Sequence, residues 1–354
     1  MGCGGIYLYK KIMKKMICMK KFVCVVLAAF GLAACSVKQT ETVPTPSKQL
    51  HPWVVYGEES SFADLEPVKD MIASVSVFGN PPREYIDKCH AAGIEVYRAV
   101  GGNEESINTP EKIASLVESY VNDCQANGYD GIDLDFEHLS PSVRATYSDF
   151  LQKASAALHA AGKKMSHCVG FYPALYADEN TQIFYDPAVL ENTCDLVRVM
   201  CYDMYCAPCI GVKELAHRDD CQGVGPTSNY LWTRECMLYW KERISADKLV
   251  MALPAYGNDY KLTGDIAGTQ IYAPKPDKAV GELPAPTWLC YEKVNMYLYD
   301  HEDGCRHLFY AADARSTECL LQLADELQLP KVGFWHFSSV SPDTWKVTRD
   351  WMEK

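Results

Sequence analysis

Tyr129-Asp130-Gly131-Ile132-Asp133-Leu134-Asp135-Phe136-Glu137 alternates apolar and acidic side chains from residue 132 onward. Successive side chains of a strand point to opposite faces. Asp133, Asp135 and Glu137 therefore share one face, and Ile132, Leu134 and Phe136 the other. Neighbours on one face lie roughly 6.5–7 Å apart, so three ionised acids in a row repel one another, and more strongly as water is removed. Protons retained on part of the set relieve the repulsion and raise at least one apparent pKa toward neutrality, as general acid catalysis requires; Glu137 is expected to carry one. A solvated edge strand with its acids in water is the bland alternative, but the apolar face and the helical patterns on both sides favour a buried parallel strand. A calcium or magnesium site is a second rival. Evenly alternating strand acids suit such a cage poorly, and the sequence lacks the glycine-turned twelve-residue calcium loop, so no metal is expected.

On the amino-terminal side, Thr109-Pro110 starts a helix in which Ile113, Leu116, Val117, Tyr120, Val121 and Cys124 follow three-four spacing and Gly128 provides the stop. On the carboxyl-terminal side, Tyr147, Phe150, Leu151, Ala154 and Leu158 repeat the pattern before Gly162. Short apolar runs at Trp53–Tyr56, Ile72–Phe78, Ile94–Val100, Gly131–Phe136, Lys164–Gly170, Leu196–Cys201, Leu249–Ala255 and Gly333–Phe337 make eight candidate strands. Eight strands with intervening helices predict an α/β fold, a (β/α)8 TIM barrel over residues 51–354, with a small insertion at about 258–307 between strands seven and eight. A doubly wound open sheet is the alternative, yet no dinucleotide-type glycine turn follows an early strand; Gly101-Gly102 is only a pair. In a barrel, catalytic groups sit at the carboxyl ends of strands, where Glu137 falls.

The chain has 354 residues, 48% hydrophobic and 23% charged, enough for one large core. Its formal net charge of −12 disfavours nucleic acid as a partner, and no cofactor motif is evident. Lys20-Lys21, the apolar run Phe22–Phe30 and the small-residue end Gly31-Leu32-Ala33-Ala34-Cys35 read as an export signal over residues 1–35. An ordinary signal peptide or a short membrane anchor is the alternative, and Met19 is a second candidate initiator. Residues 36–50 are polar and proline-rich, as a tether is. Twelve cysteines follow Cys35. Cys89, Cys124, Cys168 and Cys201 fall in helix or strand patterns and read as small buried hydrophobes, while Cys206, Cys209 and Cys221 near His217 leave a zinc site and a loop disulfide both open.

Asp130 to Glu137 resembles the DGxDxDxE motif of glycoside hydrolase family 18, the chitinase family. Met200-Cys201-Tyr202-Asp203 is similar to the family's MxYD at the sixth strand. Leu249–Gly257 resembles its seventh strand, and Trp335 in Gly333-Phe334-Trp335-His336-Phe337 its eighth. The resemblance spans about residues 52–352. Ile72–Gly79 and Tyr230–Tyr260 look most like the di-N-acetylchitobiase branch, and Asp313-Ala314-Arg315-Ser316 like bacterial relatives acting on peptidoglycan. One departure stands out: Ala99-Val100-Gly101-Gly102 occupies the place of the family's SxGG, removing a serine hydroxyl that helps hold charge on the first inner aspartate. Leu32-Ala33-Ala34-Cys35 resembles the bacterial lipobox, which implies lipid on Cys35, membrane attachment and an envelope location.

The resemblance implies a single-chain retaining glycosidase acting on N-acetylglucosamine-containing oligosaccharides by substrate assistance. Glu137 is then the acid, Asp135 shares a proton with Asp133 and orients the substrate's acetamido group, and Tyr202 donates to its carbonyl. Trp335, Met200, Asp203 and Tyr256 line the sugar site. Each has a plainer reading: a core tryptophan for Trp335, a strand-to-loop exit for Tyr202 and Asp203, and simple packing for Met200 and Tyr256. Alternatives in function are an endo-β-N-acetylglucosaminidase, a hydrolase of peptidoglycan glycan strands, or a non-catalytic sugar-binding lipoprotein; the last usually lacks the acid that Glu137 supplies here.

Overall fold

The apolar runs of the sequence become parallel strands, and the computed structural model describes residues 47–57, 61–170, 183–210, 223–272 and 283–354. The export-signal pattern, Cys35, His217 and Cys221 lie outside the described residues, as does most of the tether. Strands β1 (Gln49–Leu50), β2 (Trp53–Val55), β3 (Ser74–Phe78), β4 (Glu95–Val100), β5 (Gly131–Leu134), β6 (Lys164–Val169), β7 (Leu196–Met200), β8 (Leu249–Pro254) and β14 (Lys331–Trp335) form one parallel sheet. β1 and β2 are two halves of one strand, broken where Pro52 has no N–H to donate. β1 pairs with β14, and β2 pairs with β3. Leu50 bridges both neighbours, Val332 on one side and Ile72 on the other, so the sheet closes on itself as an eight-stranded (β/α)8 barrel.

Helices α1 (Arg83–Ala91), α2 (Pro110–Asn127), α3 (Arg144–Ala160), α4 (Pro187–Thr193), α5 (Tyr230–Lys241), α6 (Ala314–Glu326) and α7 (Pro342–Met352) connect the strands. α2 begins as its sequence signals predict: the Thr109 hydroxyl accepts from the Lys112 amide and Pro110 sits in the first turn. It ends at Gly128, whose φ of 86° is left-handed. Ile113, Val117, Tyr120 and Cys124 of α2 share one core with Tyr147, Phe150, Leu151, Ala154 and Leu158 of α3. The apolar face of β5 packs into that core, with the Phe136 ring 5.5 Å from both Tyr147 and Phe150. Burying a ring of this kind contributes about 2–3 kcal/mol, which anchors β5 from outside the barrel.

Inside the barrel, Tyr97, Leu196 and Val250 form a lower apolar layer, and Trp53, Cys168, Tyr202, Ala252 and Tyr256 an upper one. β8 passes after Ala255 alone into a second sheet of five antiparallel strands, β9 (Tyr256–Lys261), β10 (Ala267–Tyr272), β11 (Thr287–Leu289), β12 (Val294–Asp300) and β13 (Arg306–Ala311), in the order β10-β9-β13-β12-β11. The last barrel strand starts and stops two residues earlier than the sequence pattern places it, because Phe337–Ser339 turns into a 3-10 helix.

Cys89, Cys124, Cys168 and Cys201 are buried and unpaired, while Cys206 and Cys209 form a disulfide. Asp313, in the stretch that resembles peptidoglycan-acting relatives, caps α6 by accepting from the Ser316 amide at 2.9 Å. No helix among the described residues is long and apolar enough to cross a membrane.

Closure leaves no room at Gly333, where an added Cβ would stand 2.5 Å from the His51 carbonyl oxygen. The His51 carbonyl is main chain at the barrel seam and cannot yield, so Gly333→Ala is expected to lower the unfolding free energy by about 2 kcal/mol or more, measured by urea denaturation.

Candidate active site

β5 presents its acids at graded depth. Asp133 is fully buried in the barrel, Asp135 is half-buried just beyond the last laddered residue, and Glu137 stands at the rim with 47% of its side chain exposed. The Asp135 amide still donates to the Val100 carbonyl at 2.8 Å, after which the chain leaves the sheet. Sequence alternation alone predicts one shared shelter for the three acids. The structure corrects this, because strand pairing stops at Leu134 and each further step carries the chain outward.

Asp133 is held by residues from three other strands. Trp53 Nε1 donates to its Oδ2 at 2.9 Å, and the Cys168 thiol approaches the same oxygen at 3.7 Å. Arg198 Nε lies 3.4 Å from Oδ1, and both side chains are fully buried. The guanidinium is fixed by donating to Ser166 Oγ and the His51 carbonyl, each at 2.9 Å, and it lies between the Trp53 and Tyr97 rings. Ala99 pairs opposite Asp133, so where the family's serine would stand there is a methyl group. Trp53, Cys168 and Arg198 supply the polar contacts instead. The sequence gives one hint of this: Arg198 is the single charge inside the apolar run Leu196-Val197-Arg198-Val199-Met200.

Burial raises the Asp135 pKa to about 7, with the nearby charges of Glu137 and then Asp133 adding to the effect. The group poised near neutrality is therefore Asp135. Gly101-Gly102 serves this corner through space: a Cβ on Gly102 would fall 2.2 Å from the Phe136 ring.

The aromatic floor assembles from distant strands. Trp335 is half-buried and packed edge-on by Trp53 at 6.0 Å and Phe78 at 5.4 Å between ring centres. Met200, Tyr202 and Tyr256 join Trp335 in the same cluster, so four residues read from the sequence meet as one surface. Burial, above all, holds the Tyr202 hydroxyl well above its ordinary pKa and keeps it a donor. Asp203, at a left-handed φ of 59°, accepts from the Tyr256 hydroxyl and from Gln270 Nε2 at 3.3 Å, while its amide donates to Thr227 Oγ1 at 3.1 Å. Tyr272 packs at a tilt against Tyr256 and His336 and donates to Gln270 Oε1. Gln270 and Tyr272 carry no motif and were not legible as site residues; both come from β10 of the second sheet.

A closed parallel barrel that collects acids and aromatics at the carboxyl ends of its strands has the layout of a barrel enzyme. The model of the glycosyl hydrolases family 18 matches residues 60–339, and the chain belongs to that family. It is 24% identical over 227 residues to the uncharacterized glycosylase YvbX of Bacillus subtilis, covering 63% of this chain and 61% of that protein. It is likewise 24% identical over 241 residues to the cortical fragment-lytic enzyme of the same organism, covering 66% of this chain and 52% of that one. The chain thus spans about half to three-fifths of these relatives' length. Among solved structures, a chitinase from Chromobacterium violaceum superposes with a TM-score of 0.75 at 21% identity, over 87% of this chain and 100% of that one. The spore cortex-lytic enzyme SleL of Bacillus megaterium superposes with a TM-score of 0.71 at 17% identity, over 87% and 75%.

An acid whose folded-state pKa is raised binds its proton more readily in the native chain than in the unfolded one. Between pH 3.8 and about 7 the native state holds more protons, so Asp135 contributes stability at low pH that is lost as pH rises through that window. Urea unfolding of the native sequence should show this loss, on the order of 4 kcal/mol at most. Asp135→Asn should flatten it.

Proposed function

We propose that the chain is a retaining glycosidase that cleaves β-1,4 linkages next to N-acetylglucosamine, using the substrate's own acetamido group in place of an enzyme nucleophile. The observation that carries this reading is the Asp135 carboxyl, poised near pH 7 between a buried Asp133 and a rim Glu137, above a floor of Trp335 and Tyr202. Glu137 faces solvent where a leaving glycosidic oxygen arrives, and it delivers the proton there. Asp135 accepts from the acetamido N–H, turns the carbonyl toward the anomeric carbon and offsets the positive charge of the oxazolinium ion that forms. Tyr202 donates to that carbonyl, and Glu137 then takes a proton from the incoming water. Trp335 offers its face to the apolar side of the sugar ring. Asp203, held by Tyr256 and Gln270, closes the polar side.

A second reading, action on the glycan strands of peptidoglycan, draws support from the cortex-lytic names of two relatives. The pattern ending in Leu32-Ala33-Ala34-Cys35 supports export and a lipid tether on Cys35, which would hold such an enzyme at a bacterial envelope. Incorporation of labelled fatty acid that is lost in Cys35→Ala would establish the tether.

Glu137→Gln is expected to lower kcat on chitooligosaccharides by at least about 100-fold while leaving their dissociation constant within a few-fold. A thiazoline mimic of the intermediate should inhibit the native enzyme competitively; indifference to it would point to a conventional nucleophile. Products from chitobiose, a high-mannose glycopeptide and muropeptides separate the two readings.

A further inference from the structure

The hairpin between β12 and β13 gathers ligand-type side chains away from the acid row. His301, Asp303 and His307 bring one donor atom each to within 4.8 Å of one another. His307 Nε2 lies 3.4 Å from Asp303 Oδ2, and His301 Nδ1 lies 3.2 Å from Asp303 Oδ1. Ligand atoms held at about 2.0–2.1 Å around a tetrahedral ion are roughly 3.4 Å apart. Each histidine already stands at about that separation from one oxygen of Asp303, on opposite sides of the carboxylate, so an ion draws the two rings together; it also displaces the Asp303 amide, which donates to His301 Nδ1 at 3.2 Å.

The surroundings of His307 supply an independent observation. Its ring is buried, and Nδ1 faces Asp259 Oδ2 at 2.6 Å. The other oxygen of Asp259 accepts from the Tyr299 hydroxyl at 2.9 Å, which fixes the carboxylate in place. With Nδ1–H donating to Asp259, the Nε2 lone pair points at a carboxylate oxygen of Asp303. Two acceptors facing each other repel unless a cation or a proton stands between them. A carboxylate behind a histidine that ligates through its far nitrogen is the usual outer support of a metal-bound imidazole. The nearby charges are Asp259 and Asp303 against Lys261, whose Nζ is 3.6 Å from Asp303 Oδ2, leaving a net negative charge for a dication to meet.

We propose that His301, Asp303 and His307 bind a divalent transition ion of the zinc class, with an open coordination position left for water. Two imidazoles disfavour calcium and magnesium, which take oxygen ligands. The ion clamps the hairpin beside Asp259 of β9, the strand that also carries Tyr256 and pairs with β10, the source of Gln270 and Tyr272. The site therefore braces the sheet that completes the polar side of the candidate cleft, whatever substrate that cleft takes.

The test is titration of the full, chelator-treated chain with Co2+, followed by displacement with Zn2+. One equivalent of Co2+ should give visible d–d bands without an intense thiolate charge-transfer band, which separates this site from the protein's cysteines. Asp303→Asn and His301→Ala, both on the hairpin, should abolish the bands, and Asp259→Asn should weaken affinity about 10- to 100-fold. Zn2+ at about 100 times its dissociation constant should raise the native Tm by about 5 °C and leave that of Asp303→Asn unchanged. Absence of saturable binding would overturn the site in favour of a proton-bridged His307. Bands that survive both hairpin substitutions, or that show thiolate character, would overturn it in favour of cysteine ligation.

Discussion

The ion pair between Asp133 and Arg198, with neither side chain exposed, is the constraint on which the rest of the site depends. Two charges taken out of water cost several kcal/mol each, and the attraction between them offsets this only when geometry and further hydrogen bonds are good. Here Ser166, the His51 carbonyl and Trp53 provide those bonds. Removing one partner of such a pair typically costs about 3–5 kcal/mol, since it strands the other charge. Because Trp53 donates to Asp133, its ring is also fixed in the place from which it packs against Trp335. One buried contact thus sets the base of the acid row and the tilt of the aromatic floor.

Above that pair, a single strand produces three electrostatic settings from one alternating pattern. Asp133 has a counter-ion, Asp135 has burial and two like charges, and Glu137 has solvent. Depth, set by where the ladder with β4 and β6 ends, is what separates them. Chemistry that needs one resident carboxyl near neutrality and another open to an arriving ligand finds both two residues apart.

Much of this was legible in the sequence, for physical reasons that differ by element. The β5 pattern and the helices at Pro110 and Arg144 are local, governed by side-chain period and end signals, and they emerge where the spacing places them, except that β5 leaves the ladder two residues before Phe136. Tyr202, Trp335 and Met200 are visible because the strand-end segments that carry them resemble the family's sixth and eighth strands. Trp53, Cys168 and Arg198 were not assigned to the site, since what makes them matter is which strands become neighbours. The same holds for Gln270 and Tyr272, whose strand shows only weak burial contrast. The split first strand is half legible: Trp53–Tyr56 stands out as an apolar run, whereas the two-residue segment Gln49–Leu50 is too short to show any period.

The partners of Asp133 come from the first, fifth and sixth barrel strands, and the first strand is also the seam where Leu50 joins both neighbours. No contiguous fragment lacking that seam can assemble the anchored acid. The ring and its anchored acid are thus all-or-none together: a barrel opened at this edge loses the indole that donates to Asp133, so the environment of the Trp53 ring reports directly on whether the barrel is closed.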